Sequence, residues 1–236
     1  MLKRIVKKII YHNHSTNDEY ISFLKSKGAK IGEGTVFYSP QKHPVDETSC
    51  HFIAIGSNCR ITEGVTILGH DYSYAVCRPT HHAMLLKSGV TSIGDNVFIG
   101  INAIVLMNTV IGNNCIIGAG AVVSGKFGDN LVIAGNPAKE VCTLEEYYRK
   151  LRKNFENSAR IYYERKSKLL GRPLIESEMS WYVALWKTED LDARRKMLYQ
   201  TTKVDGDDKD MVIEDVLKYE PVYNSFDEFV ANIGAS

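Results

Sequence analysis

A chain of 236 residues with 44% hydrophobic side chains can build one sizeable core, or one core with a smaller appendage. Its 29 basic and 28 acidic residues leave a formal net charge of +1, which excludes a global field for nucleic acid and confines anion binding to local cations. The five cysteines, Cys50, Cys59, Cys77, Cys115 and Cys142, form no CxxC pair, so no zinc or redox motif is expected and a reducing cytoplasm is the simplest setting.

In chain order, residues 1–11 mix Lys3, Arg4, Lys7 and Lys8 with Leu2, Ile5, Val6, Ile9 and Ile10. The segment is too short and too charged to span a membrane and does not read as a cleavable signal. Two readings stay open, a helix packed on its own protein or peripheral contact with an anionic membrane surface. Thr16, followed by Asn17, Asp18 and Glu19, starts a helix through Ile21, Phe23 and Leu24 that ends at Gly28. Residues 1–28 are thus expected to form an N-terminal helical cap.

From Ile31 the chain changes character. Aliphatic residues recur every six positions at Ile93, Ile99, Val105, Ile111, Ile117 and Val123, with an earlier block at Ile55, Ile61 and Ile67 and a first trace at Ile31 and Phe37. Neither helical nor strand periodicity makes this spacing. The fourth position of each hexad is Gly34, Asn58, Gly64, Asn96, Asn102, Asn108, Asn114 or Gly120. Asparagine and glycine most readily accept φ above zero, so a sharp corner is predicted every six residues. The fifth position is small (Thr35, Cys59, Val65, Val97, Ala103, Thr109, Cys115, Ala121), as a narrow corner requires. Short runs joined by regular corners describe a coil whose turns stack as parallel strands about 4.8 Å apart, three runs to a turn. The prediction is a mainly β fold, a triangular parallel β-helix over residues 29–141. Its handedness does not follow from these residues.

The spacing from Ile67 to Ile93 is not a multiple of six, so residues 69–92 are expected to leave the prism as an extruded loop. Loops on rigid scaffolds tend to carry function. This one holds His70, His81 and His82, three of the seven histidines. An alcohol attacking an acyl carbonyl at neutral pH needs a base to take its proton, and histidine titrates in the right range. His70 is the best placed, because Ile67 and Leu68 anchor it to the prism, whereas His81 and His82 lie deeper in the loop.

The hexads of the form Ile93-Gly94-Asp95-Asn96-Val97-Phe98 resemble the hexapeptide-repeat acyltransferases, whose coils are left-handed. Over residues 45–147 the likeness narrows. The runs Val45-Asp46 to Ile53-Ala54-Ile55-Gly56, Ile67-Leu68-Gly69-His70-Asp71-Tyr72-Ser73 and Ala134-Gly135-Asn136-Pro137-Ala138-Lys139 are similar to capsular polysaccharide and lipopolysaccharide O-acetyltransferases of the maltose and galactoside acetyltransferase superfamily. The resemblance implies that His70 is the general base. It implies acceptor contacts from Asp46, Asp71, His81 and His82, with Asp71 either orienting the imidazole or touching substrate.

Acetyl-CoA is the implied cosubstrate. By resemblance its pantetheine arm lies near Ile101 and Ala119, with Phe98 beside the thioester end and Ser124, Gly125, Lys126 and Lys139 near the phosphates. Where the family usually carries a Thr-Lys pair, this chain has Ser124 and Gly125, with Lys126 displaced by one position. The family also implies a homotrimer, in which a loop from one subunit closes over the groove of the next.

Beyond the prism, Thr143-Leu144-Glu145-Glu146 has capping-box spacing and begins a helix that runs toward Leu170 and stops at Gly171 and Pro173. Residues 142–236 are expected to be a C-terminal helical region. Trp181, Tyr182, Leu185 and Trp186 stand at helix-like spacing, and residues 203–210 read as a solvated loop.

The expected activity is transfer of acetyl to a hydroxyl of a sugar or a surface-polysaccharide precursor, free or lipid-linked, by direct attack in a ternary complex. N-acetylation of an amino sugar or nucleotide-amino sugar would use the same scaffold and donor, and a non-enzymatic scaffold would not bind CoA. Carbonic anhydrases of the gamma class hold zinc on this prism through histidines of neighbouring coils. Here no histidine follows His82, so no metal is expected.

Overall fold

The structure, a computed structural model, describes residues 10–188, 190–201 and 209–233. Residues 1–9 of the basic N-terminal segment and 203–208 of the expected solvated loop lie outside the described residues. The chain divides into two compact units, Met1–Tyr147 and Tyr148–Ser236.

In the first unit the hexad residues fall into register on three walls of parallel strands. One wall aligns Ile31, Ile55, Ile93, Ile111 and Phe127. The next aligns Phe37, Ile61, Ile99, Ile117 and Ile133. The third aligns Ile67, Val105 and Val123, and Val45 adds an isolated bridge to Ile67. Apart from Phe127, every one of these side chains is buried in a single continuous core. Each fully buried isoleucine contributes roughly 1.5–3 kcal/mol, so the stack itself supplies much of the unit's stability.

The corners are where the sequence puts them. All eight fourth-position residues have positive φ, between +55° at Asn58 and +75° at Gly64. Three asparagines of one corner also form a ladder the spacing does not reveal: Asn96 Nδ2 donates to Asn114 Oδ1 (2.9 Å), and Asn114 Nδ2 donates to Asn130 Oδ1 (3.1 Å). Glycine is required at Gly64 for a second reason besides its φ, because a Cβ there would lie 2.0 Å from Asn102 Oδ1 in the next coil. The small fifth-position residues are all buried, with Thr35 donating its hydroxyl to the Gly56 carbonyl one coil on.

A helix covers the first coil of the stack. Helix α1 (Asn17–Ser26) is capped by Thr16, whose Oγ1 accepts the Glu19 N–H at 3.2 Å, and it buries Tyr20 and Leu24 in the prism core. Such a cover removes the open strand edge that invites aggregation. At the other end the strand Leu131–Gly135 turns back antiparallel as Ala138–Thr143.

The excursion after Ile67 is shorter and more ordered than an unstructured loop over 69–92. Thr91 and Ser92 already belong to the wall strand Thr91–Ile93, and the buried Thr91 hydroxyl donates to the Leu68 carbonyl at 2.7 Å. Between them His70–Asp71 pairs antiparallel with Lys87–Ser88, and helix α2 (Tyr74–His81) lies at the tip.

Helix α3 (Leu144–Leu170) opens with the expected capping box. Thr143 N–H donates to Glu146 Oε2 (2.9 Å) and Glu146 N–H donates to Thr143 Oγ1 (3.2 Å). Gly171, at φ +66°, follows its last turn. The second unit has its own core, in which Ala159 and Tyr163 of α3 pack with Met179, Val183, Leu185, Trp186, Tyr223 and Phe229. The aromatic run that reads as one helix face splits here. Trp186 is fully buried, while Trp181, on the 3-10 segment Glu176–Leu185, is largely exposed. Among the described residues no helix is long and apolar enough to cross a membrane.

Candidate active site

His70 sits at the base of the excursion, on the first hydrogen-bonded pair of its hairpin. Its Nδ1 lies 2.5 Å from Asp46 Oδ2 and 3.1 Å from Ser49 Oγ. The Asp46 side chain is only 6% exposed, against 35% for His70, so the carboxylate is enclosed while the ring reaches solvent. Asp46 is fixed from several sides: Oδ2 accepts the Gly69 N–H (3.2 Å), and Oδ1 accepts both the hydroxyl (2.7 Å) and the N–H (3.2 Å) of Thr48.

These contacts decide the electrostatics. Burial works to raise the Asp46 carboxyl, but hydrogen bonds from Thr48, His70 and Gly69, with the charge of the ring, outweigh it and hold the group below the usual carboxylate range. An ionised Asp46 accepts a hydrogen bond from Nδ1–H and so favours the tautomer in which Nε2 carries the free lone pair. That is the form a general base needs.

The other loop residues are arranged differently. Asp71 is engaged by the Ser73 hydroxyl (2.5 Å) and N–H (2.9 Å) and by Lys87 Nζ (3.4 Å). Asp71, the carboxylate expected to orient the imidazole or touch substrate, is engaged elsewhere, and Asp46, expected only as an acceptor contact, is the one that reaches the ring. His81 and His82 are exposed at the end of α2, where His81 Nδ1 meets Thr80 Oγ1 at 2.7 Å.

The residues expected along the cofactor are exposed but divide between two parts of the prism. Phe98 projects from the second wall, and Ile101 and Ala119 follow it at the next corner, where the Gly120 N–H donates to the Ile101 carbonyl. Lys139 belongs to the hairpin that extends the same wall. Ser124, Gly125 and Lys126 stand at the corner after the third wall, the corner column from which His70 departs in an earlier coil. Gly125, at φ +105°, lies in this last coil, which is shortened: Lys126 pairs with Val110 and Val110 with Ser92, spans of sixteen and eighteen residues.

Residues 91–125 match the family model described as bacterial transferase hexapeptide (six repeats). Over 172 residues the chain is 32% identical to protein CapG of Staphylococcus aureus, an alignment that takes in 72% of this chain and 96% of that protein. The chain belongs to the hexapeptide-repeat bacterial transferases. It is also 33% identical over 137 residues to YvoF of Bacillus subtilis (strain 168), provisionally named an acetyltransferase, covering 58% of this chain and 72% of that one. A solved hexapeptide-repeat-containing acetyltransferase of Vibrio cholerae aligns with 60% of this chain and 89% of its own at 16% identity, with a TM-score of 0.43. By this membership the chain is an acyltransferase.

In this hexapeptide-repeat transferase, sequence reasoning missed two supports of the imidazole, Thr48 and Ser49. A small polar residue beside an aspartate is too common to single out.

Proposed function

We propose that this transferase moves an acetyl group from acetyl-CoA to a hydroxyl of a sugar or surface-polysaccharide precursor, with His70 as general base. The observation that carries the reading is the 2.5 Å pairing of His70 Nδ1 with the enclosed Asp46 carboxylate. A histidine held this way presents Nε2 as an acceptor, which suits an alcohol that must lose its proton as it attacks.

The reaction then runs directly in a ternary complex. The acceptor O–H gives its proton to Nε2 while its oxygen bonds to the thioester carbonyl carbon. The tetrahedral species collapses, the carbon–sulfur bond breaks, and the imidazolium returns the proton to the departing CoA sulfur. Asp46 stabilises the imidazolium between these steps. No acyl-enzyme and no cysteine nucleophile are needed.

Phe98, Ile101 and Ala119 would flank the pantetheine arm, and Lys139 and Lys126 would meet the phosphates. Asp71, His81 and His82 remain the candidates for acceptor contacts. The cofactor wall and the His70 corner are different faces of one chain, which fits a homotrimer with each site shared between neighbours, and the family resemblance makes its prism left-handed. Cytoplasmic acetyl-CoA would be the donor pool. The purified chain is expected to release free CoA from acetyl-CoA when a sugar, nucleotide sugar or lipid-linked saccharide is supplied. A screen in which no hydroxyl acceptor stimulates release, and only amino sugars do, would replace O-acetylation with N-acetylation.

A further inference from the structure

Glu47 follows Asp46 directly but has a separate set of partners. His14 Nε2 stands 2.7 Å and His43 Nδ1 2.8 Å from the same oxygen, Glu47 Oε1. The three donor atoms all lie within 4.8 Å of one another, and the two imidazole centroids are 4.2 Å apart. Two histidines and a glutamate are a donor set that suits zinc and its neighbours, which take three protein ligands and leave a fourth position for water. A tetrahedral ion with bonds of about 2.0–2.1 Å sets its ligands roughly 3.3 Å apart, so each histidine–glutamate contact would open by about half an ångström, and the two histidine nitrogens, within 4.8 Å of each other, would settle at the same spacing.

The surroundings fix His14 and the segment that carries Glu47. The His14 ring packs against Tyr20 (4.9 Å) and Phe23 (5.4 Å) of α1. The Tyr20 hydroxyl accepts the Val45 N–H at 3.2 Å, which ties the segment carrying Glu47 to the same helix. His43 is held at φ +49°, a conformation uncommon for a residue with a side chain. Partners that fix the ligand side chains are the usual second element of a metal site.

We propose that His14, His43 and Glu47 bind a first-row transition-metal dication of the zinc class. The ion joins the turn before α1 to the segment that carries Asp46 and Ser49, so it braces the support of His70 without taking part in the transfer. Sequence spacing gives no hint of it, because the ligands come from the 3-10 turn His12–His14, the residue after a second 3-10 turn, Pro40–Lys42, and a loop four residues further on.

The test is a titration of the chelator-treated full chain with Co2+, read by its visible absorption. One equivalent is expected to bind with the intense bands of a four-coordinate ion, to be displaced by Zn2+, and to raise Tm. His43→Ala, at a side chain 60% exposed, should fold normally, and Glu47→Gln keeps the carboxylate's shape; both should abolish the bands. Absence of Co2+ binding by the wild-type chain, a spectrum of six-coordinate intensity, or bands unchanged in both variants would each overturn the proposal. Because the readout is spectroscopic, it stands or falls apart from the transferase reading.

Discussion

The regular coils and the two excursions that leave them obey different rules. From Ile93 to Val123 each residue is dictated by its counterpart one coil away: aliphatics stack inside, asparagines turn the corners, and the next coil repeats the pattern. In the excursions carrying Asp46 and His70, the contacts are individual hydrogen bonds between side chains that occur once. The repeat therefore concentrates stability, and its interruptions concentrate chemistry. Substitutions should divide along the same line.

The largest expected effect is on rate. His70→Ala should lower turnover by on the order of 10²–10⁴ while leaving Tm nearly unchanged, because a half-exposed ring outside the core is removed. Acetyl transfer measured by CoA release, beside a thermal melt, reads both quantities. A variant that retains full rate would sink the base assignment. The mirror experiment is Ile99→Ala, which empties a fully buried position in the second wall and should cost about 2–5 kcal/mol of stability. Denaturant unfolding checks it, and the surviving folded fraction should keep its specific activity. Comparable losses of rate in both variants would erase the distinction between the regions.

Much of the repeat is legible in the sequence because each hexad reports the same constraint. The corners at Asn58, Asn96, Asn102, Asn108 and Asn114 can be read from residue type alone, since few side chains tolerate that φ. The excursion holding His70 also shows, because its length breaks the period. The excursion holding Asp46 does not, and the reason is arithmetic. Ile31 aligns with Ile55 and Phe37 with Ile61, a span of twenty-four residues where Ile93 to Ile111 takes eighteen. The surplus equals one hexad, so the period resumes in phase and hides the insertion. Asp46, Thr48 and Ser49 lie within it, which is why the carboxylate was legible only as a family position and its pairing with His70 only in three dimensions.

A finer test concerns the corners themselves. Asn102→Ala should cost about 1–2 kcal/mol, because alanine must adopt φ near +58° without the local hydrogen bonding open to asparagine. Asn102→Gly relieves that strain and should cost less. Equal destabilisation by the two, measured in urea, would mean that the side-chain amide rather than the backbone conformation explains the residue.

The smallest effect joins the two regions through pH. Because Asp46 is held below the usual carboxylate range in the folded chain, the folded state takes up this proton less readily than the unfolded one. Its contribution to stability is present in full above the unfolded value of about 3.9, and is lost as pH falls through the lower folded value. Comparing wild type with Asp46→Asn between neutral and strongly acid pH isolates that contribution. The stability gap should be widest near neutrality and close on acidification. Since Gly69 and His70 join Thr48 in depressing the group, the same variant should also loosen the base of the hairpin, with faster amide exchange at Gly69 than at Gly94 in the regular coils. A gap that stays constant across the range would mean that the carboxylate charge does not hold the excursion against the prism.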